Sequence, residues 1–202
     1  EPASWYGGRC VFTAGDPDWS VMDYITISTT SNATDFGNMS VNRYTGDSCS
    51  NGTRGVCGGG ATTVWNNSNV IDYITFATTG NATDFGDLTV SRNFNGACSD
   101  GTYGVWAGGD NLSSKNTIDY IAISTTGNAS DFGDLTNSRN VVGGLADATR
   151  GVFAGSNPGT NIMDYITIAT TGNAIDFGDM TGTGNGTTGC SSTTRGLFNH
   201  GY

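Results

Sequence analysis

Carboxylates are the chemistry-bearing side chains that recur most regularly in this sequence. Pairs of Asp three positions apart occur at Asp84 and Asp87, Asp131 and Asp134, and Asp176 and Asp179. Acid–base catalysis needs a single site in which two carboxyl groups have unlike environments. The pair returns in three copies of a longer segment, and in the first copy Asn38 replaces the second Asp. This repetition indicates a structural role, such as capping backbone N–H groups in turns.

A second carboxylate series precedes a Tyr in four related segments, at Asp23, Asp72, Asp119 and Asp164. Equivalent residues of repeats arranged in a ring converge on one axis, and oxygen-rich clusters suit calcium. The alternative is that these carboxylates stabilise the starts of strands, and no dense Asp-x-Asp-x-Asp loop is present. We therefore expect no obligatory cofactor and leave calcium binding open.

Nucleophilic catalysis and redox chemistry find little support in the sequence. The only His is His200, two residues from the last position, where an ordinary surface residue is expected, whereas a Ser–His or Cys–His site needs a fixed imidazole. Among the five Cys, Cys49, Cys98 and Cys190 share a repeat position with Leu145, which predicts small buried apolar sites. Disulfide pairing is left open, and we predict that the chain is not an enzyme.

The charge balance and hydropathy exclude two classes of partner. The net charge is −10, and there is no cluster of basic residues of the kind that binds nucleic acid phosphates. No apolar run approaches the length of a transmembrane helix. We expect neither nucleic acid nor membrane partners.

Internal repetition is the strongest signal. The four Asp-Tyr pairs follow one another at steps of 49, 47 and 45 residues, and a motif of the type "RGVFAG" returns five times, first at Arg9 and last at Arg195. The sequence thus predicts one repeat domain over 1–202, with units of about 47 residues at roughly 9–53, 54–102, 103–149 and 150–194, and a partial fifth at 195–202.

Each unit is predicted to contain four strands and no helix, because helix-forming residues such as Glu, Lys and Gln are almost absent. The first strand follows Arg43, Arg92 or Arg139, and "SNGT" or "SDGT" predicts a type I′ hairpin. "GVWAGG", "DYITIAT" and "DFGDLT" supply the next three strands. We expect the repeated Tyr of the third strand and Phe of the fourth to pack between units.

This order resembles the Kelch repeat, in which a strand ending in two glycines precedes a strand with Tyr and a strand with an aromatic residue. "GVWAGG", "IDYITF" and "TDFGDLT" take those places, although Phe36, Phe85, Phe132 and Phe177 stand where Kelch units usually have Trp. The resemblance implies a β-propeller of four-stranded blades, four-bladed by preference and five-bladed as the alternative.

More narrowly, "TTGNATDFGDLTVSR" followed by motifs of the type "RGVFAG" resembles repeats of structural and tail-fibre-like proteins of marine tailed phages. The resemblance implies a non-enzymatic structural and binding module of an extracellular assembly or virion surface. The alternative is a secreted carbohydrate-binding propeller, in which Trp19 and Trp65 on variable loops stack on sugars. Glycosylation sequons at Asn32, Asn81 and Asn128 fit a secreted eukaryotic protein.

Closure of the ring poses a counting problem. The pattern yields three strands in the first unit, four in each of the next three and two at the end, so 17 strands face 16 places in a four-bladed ring or 20 in a five-bladed one. Unpaired edge strands recruit partners. We expect Arg9–Gly15 or Arg195–Gly201 to pair with a neighbouring protomer in a head-to-tail oligomer or filament. The alternative is a frayed terminus or a fragment of a longer array.

Overall fold

The computed structural model describes residues 8–13, 20–62, 66–140 and 142–199. The described residues form strands, turns and loops without any helix, which confirms the all-β prediction. No helix in this part of the chain is therefore long and apolar enough to cross a membrane.

Seventeen strands are described, and the prediction of that number from the repeat pattern is confirmed. They are β1 (Arg9–Thr13), β2 (Val21–Thr26), β3 (Thr34–Asn38), β4 (Asp47–Ser50), β5 (Arg54–Gly58), β6 (Val70–Thr75), β7 (Thr83–Asp87), β8 (Gly96–Ser99), β9 (Tyr103–Ala107), β10 (Thr117–Ala122), β11 (Ser130–Asp134), β12 (Gly143–Ala146), β13 (Arg150–Ala154), β14 (Thr160–Thr167), β15 (Ile175–Gly184), β16 (Thr188–Ser191) and β17 (Gly196–Asn199).

The strands form five antiparallel sheets in which neighbours in sequence are neighbours in space. We name them sheet I (β1–β3), sheet II (β4–β7), sheet III (β8–β11), sheet IV (β12–β15) and sheet V (β16–β17). The register is the same in each sheet, as when Val56 of β5 lies opposite Tyr73 of β6 and Val105 of β9 lies opposite Tyr120 of β10. A bulge interrupts the pairing of the third and fourth strands at the repeated Asp, for instance between Ile71 and Asp72.

The hairpin between the first and second strands differs from the type I′ turn that the sequence predicts. Gly52 and Gly101 have positive φ values of 82° and 88°, but Asn51 and Asp100 do not share that conformation. The Asp100 carboxylate instead accepts hydrogen bonds from the N–H groups of Thr102 and Tyr103, both at 2.7 Å. The side chain therefore closes a wider loop, as Asn and Asp commonly do in turns.

Apolar side chains between neighbouring sheets make the core. Phe36, Phe85 and Phe132 are 2–3% exposed, which confirms for three units the prediction that this Phe packs between sheets. The Tyr of the third strand meets the Phe ring edge-on at centroid distances of 5.6–6.0 Å. In sheet IV the prediction is wrong, because Phe177 is 48% exposed.

The glycines that end the second strand allow the backbones of successive segments to approach closely. Gly59 and Gly60 have φ values of 74° and 106°, and a Cβ at Gly60 would lie only 2.8 Å from the Tyr44 carbonyl oxygen. Other residues rarely adopt this conformation. The "GGG" segment thus allows close backbone packing where β5 ends.

Candidate interaction site

The carboxylates that the sequence singled out for calcium lie in buried ion pairs. Asp72, Asp119 and Asp164 are at most 1% exposed, and each contacts the Arg that precedes the first strand of its own sheet. The N–O distances are 3.1 Å for Arg43–Asp72, 2.9 Å for Arg92–Asp119 and 2.6 Å for Arg139–Asp164. Asp23, the fourth member of the series, is exposed.

A hydroxyl and a backbone N–H complete the surroundings of each buried carboxylate. Thr89 donates its hydroxyl to Asp119 at 2.5 Å and its N–H at 3.2 Å, and Thr136 does the same to Asp164 at 2.7 and 3.1 Å. Burial raises the pKa of Asp119, while Arg92 and Thr89 oppose that shift. A buried charge needs such partners, so this polar set ties the linker before each sheet to its third strand.

Metal binding receives no new support from the geometry. In the described ranges no three His, Cys, Asp or Glu side chains lie close enough together to hold an ion. The pair Asp84 and Asp87 lies on the last strand of its sheet, where Asp84 is exposed. Calcium binding stays a prediction.

The thiols of Cys49 and Cys98 pack against the following sheet, beside Gly104 and Gly151. Burial raises the pKa of Cys49 and of Cys98, with nearby carboxylates adding to the shift, and a thiol held in its protonated form is a poor nucleophile. Cys57 is buried, whereas Cys190 is exposed. The prediction of a buried site is therefore wrong for Cys190, which lies in the two-stranded sheet V. All five cysteines are unpaired in this structure.

The proposed sugar-binding aromatic residues, Trp19 and Trp65, lie outside the described residues, as does His200. Trp106 is fully buried, and its indole N–H donates to the Asp47 carbonyl oxygen of the preceding sheet at 3.0 Å. This Trp therefore acts in the contact between sheets II and III.

Two of the three predicted sequon residues have a structural task that the sequence did not reveal. Asn32, Asn81 and Asn128 are exposed. The side-chain oxygens of Asn81 and Asn128 accept hydrogen bonds from the N–H groups of Asn38 and Asp87 in the preceding sheet, at 3.0 and 3.1 Å. The repeat could have revealed this contact, because an Asn that recurs at one turn position suggests a recurring hydrogen bond.

The same three hydrogen bonds recur at each of the first three interfaces between sheets. Between sheets II and III, the N–H groups of Gly127 and Ala129 donate to the carbonyl oxygens of Phe85 and Asp87, both at 2.8 Å, and Asn128 accepts from the Asp87 N–H. At the other two interfaces the equivalent distances are 2.7–3.1 Å. The loop after the third strand of one sheet thus docks on the fourth strand of the sheet before it.

At the end of the series, no loop of the described residues forms these hydrogen bonds with the fourth strand, which is β15. Sheet IV repeats the motif as Phe177, Gly178 and Asp179. A Cβ at Gly178 would meet nothing within 4 Å, whereas a Cβ at Gly86 would collide with the Gly127 carbonyl of the next sheet. Ile175 and Phe177 are 58% and 48% exposed. We call this surface the trailing face.

Sheet I presents the surface that, in the later sheets, packs on the sheet before it. Phe12 and Ile27 are 52% and 59% exposed, whereas Trp106 and Ile123, at the same places in sheet III, are fully buried. The loop Ser31–Ala33 is exposed and corresponds to the docking loop Gly127–Ala129. We call this surface the leading face.

A cavity of about 210 Å³ opens between sheets I and II. Its lining is apolar for the most part and includes Val11 and Met22 from sheet I and Cys49, Val56 and Ile74 from sheet II. Strand β1 lines the cavity. Among the described strands it pairs only with β2, so we call its other side the free edge.

Comparison with known proteins does not place this arrangement in a family. No family model matches the chain, and no curated protein matches its sequence.

Proposed function

We propose that this chain is a non-enzymatic structural and binding module that joins head to tail with its neighbours in an extracellular assembly. A phage appendage or fibre is the assembly that the sequence resemblance suggests. The observation that carries the proposal is the pair of open faces, since the trailing face repeats a surface that is covered at three places inside the chain.

Complementary hydrogen-bonding groups support an association of these two faces. Inside the chain, the docking loop supplies two N–H donors and one amide oxygen, and the fourth strand supplies two carbonyl oxygens and one N–H. Ser31, Asn32 and Ala33 carry the first set on the leading face, and Phe177 and Asp179 carry the second on the trailing face. A face that fits another face of the same molecule produces heterologous contacts, which build rings or open filaments.

The chemistry-bearing side chains support a structural role in preference to catalysis. Each buried Asp of the Asp-Tyr pairs, such as Asp119, is already paired with an Arg side chain and a hydroxyl group. Burial raises the pKa of the thiols of Cys49 and Cys98. Catalytic groups are usually poised at an accessible site with a perturbed but useful pKa. Here the Arg–Asp pairs are buried.

For the overall architecture we propose a propeller-like array in which sheets II, III and IV are complete blades. Four antiparallel strands per sheet and face-to-face contact between consecutive sheets support this. Sheets I and V hold three and two strands, so a blade with all four strands can be assembled from the two ends.

Sedimentation velocity at micromolar to millimolar concentration tests the proposal. The expected result is concentration-dependent assembly that Phe177→Asp abolishes, because the new carboxylate would be buried against a neighbour. Leu112→Asp is the matched control, since Leu112 is fully exposed at 101% and lies on neither face. A strictly monomeric chain would refute the proposal, and glycan-array binding by that monomer would favour the carbohydrate-binding alternative.

A further inference from the structure

The first strand of each complete sheet packs against the sheet that follows it, always in the same way. Its third residue contacts the glycine near the start of the second strand of the next sheet. From the sulfur or methyl group to the position of a Cβ on that glycine, the distances are 2.8 Å for Cys49 and Gly104, 2.7 Å for Cys98 and Gly151, and 2.8 Å for Leu145 and Gly196.

The cavity between sheets I and II lies where this series requires one more first strand. Gly55 is the glycine of sheet II that matches Gly104 and Gly151, and it lines the cavity. In the described residues sheet I begins with β1, whose position corresponds to the second strand of the other sheets. The cavity therefore has the free edge of β1 on one side and the apolar contact surface for a first strand on another.

Among the described residues, sheet V contains the strand that sheet I lacks. It consists of a first and a second strand, β16 and β17. One side of β16 packs against sheet IV, since a Cβ at Gly189 would lie 2.9 Å from the Gly144 carbonyl oxygen. The other side carries Cys190, the third residue of the strand, which is exposed. Cys49 and Cys98 hold this position elsewhere and contact the next sheet.

From this match, and on the basis of the proposed head-to-tail function, we propose that β16 of a second copy of this chain occupies the cavity and pairs with β1. The register follows from the complete sheets, where Cys49 lies opposite Val56 and Ser50 opposite Gly55. Cys190 of the second copy then lies opposite Val11 and contacts Gly55. The result is a four-stranded sheet made from two chains.

Strand β17 has to give up its place next to β16 in this assembly. Both β17 and β1 are copies of one motif, "GLFN" and "CVFT", so they compete for the same edge of β16. A two-stranded sheet is only marginally stable in water, and Leu197 of β17 is 68% exposed. Exchanging β17 for β1 replaces this pair by a sheet of four strands.

A second copy is the occupant that the exposed faces favour. Phe12 and Ile27 at one end and Ile175 and Phe177 at the other are each about half exposed or more, so the two ends of a single chain do not cover each other. Insertion of β16 into the cavity of its own chain would instead close a ring, and this is the alternative that the experiment separates.

The experiment introduces a thiol at the predicted contact through Gly55→Cys. Mild oxidation with oxidised glutathione, which takes up the two electrons and two protons of the thiols, is expected to produce a disulfide between the new thiol and Cys190 of another chain. The product is a ladder of cross-linked species on a non-reducing gel. Adding Cys190→Ser is expected to remove the ladder.

Gly104→Cys provides the positive control for the geometry, because Cys49 lies next to Gly104 in the same chain. It is expected to form a disulfide without any cross-linking between chains. A disulfide between the new thiol and Cys190 of the same chain in Gly55→Cys, identified by mass spectrometry of the digested monomer, would overturn the second-copy occupant. Assembly without any link from the new thiol to Cys190 would overturn the inference and leave the proposed function standing, whereas a chain that stays monomeric overturns both.

A deletion provides a test that needs no new side chain in the core. Removing residues 195–202 takes away β17, the competitor of β1, and is expected to maintain or strengthen assembly. Loss of assembly in this variant, with an unchanged far-ultraviolet circular dichroism spectrum, would overturn the inference and assign the contact to β17.

Discussion

The repeated Phe of the fourth strand shows how one residue type acquires two environments from its neighbours alone. Phe85 is 3% exposed between sheets II and III, whereas Phe177 is 48% exposed on the trailing face. We expect Phe85→Ala to lower the free energy of unfolding by about 3–5 kcal/mol, because it removes a buried ring and leaves a cavity. Urea denaturation followed by intrinsic fluorescence measures this loss.

Phe177→Ala is the matched control and is expected to change the free energy of unfolding of the monomer by less than about 0.5 kcal/mol. Equal losses for the two variants would show that Phe177 is covered in the monomer, and the trailing face would then not exist as described.

Asp47 introduces a dependence of stability on pH. Burial raises its pKa from 3.8 to about 6, against the opposing effect of the N–H groups of Ser48 and Ala97. A folded-state pKa above the unfolded one means that the folded chain binds the proton more tightly, so this contribution stabilises at low pH and is lost as the pH rises to about 6. We expect a contribution of roughly 1–3 kcal/mol.

Asp47→Gly tests this contribution, since Gly96 and Gly143 hold the same position in the next two sheets. The measurement is the free energy of unfolding of both proteins from about pH 4 to about pH 7. The wild-type chain is expected to lose more stability than the variant over this interval. Parallel pH profiles would contradict the assignment to Asp47.

The sequence pattern predicted many of the buried side chains, but it did not predict which side chains form ion pairs with one another. Burial of Phe36, Phe85 and Phe132 followed from periodicity alone. The Arg–Asp pairs were missed, although Arg92 and Asp119 recur together in each full repeat, because the sequence does not show which charges lose contact with water. A repeated Asp amid apolar strand residues needs a cation, and that rule would have found Arg92.

At the scale of the element, strand order and number were predictable, whereas turn geometry was not. Alternating apolar residues indicate each strand, and glycine-rich turns indicate where it ends. The bounds of β5 and β9 coincide with the "RGVCG" and "YGVWA" motifs. The hairpin loop instead depends on how Asp100 orients its carboxylate toward the N–H groups of Thr102 and Tyr103. Such side-chain capping competes with the tight turn that Asp-Gly alone would favour.

The docking loop offers a prediction about how neighbouring elements are joined. The side chain of Asn128 accepts a hydrogen bond from the Asp87 N–H at 3.1 Å, and its counterpart Asn32 lies on the leading face. We expect Asn128→Ala to lower the free energy of unfolding by about 1 kcal/mol, as for a typical hydrogen bond. Asn32→Ala is expected to leave the monomer unchanged, and a loss of similar size there would show that Asn32 already has a partner within the chain.

The cavity between sheets I and II provides a second prediction at this scale. Cys57 lines it and stands where the larger Trp106 and Phe153 stand in the next two sheets. We expect Cys57→Phe to raise the free energy of unfolding by about 0.5–2 kcal/mol by filling vacant space. Thermal unfolding of the reduced protein measures the change.

Cys98→Phe is the matched control for this substitution, because Cys98 already contacts the Gly151 position at 2.7 Å and has no room for a ring. A loss of about 1–3 kcal/mol is expected from overpacking. If Cys57→Phe were as destabilising as Cys98→Phe, the space beside Cys57 would have to be filled in solution by another group.

At the scale of the whole molecule, the array has no single centre. Each apolar cluster of the described residues joins two neighbouring sheets. We therefore expect the stabilities of the sheets to combine as in other repeat proteins, through unit terms and nearest-neighbour terms. Sheet III has a complete sheet on either side, whereas sheets I and V each have one neighbour in the chain.

Hydrogen exchange of the monomer is expected to follow this gradient. The amide groups of β9 and β10, in sheet III, lie in the best-packed part of the array and are expected to exchange most slowly, through global unfolding, while those of β17 exchange through local opening of a two-stranded sheet. Mass spectrometry of peptic fragments resolves these segments. At concentrations where chains associate, β1 is expected to gain protection as it acquires a partner on its free edge, whereas β9 is expected to be unaffected. Equal protection of all five sheets in the monomer would contradict the nearest-neighbour description, because a terminal pair of strands would then be as stable as a sheet packed on both faces.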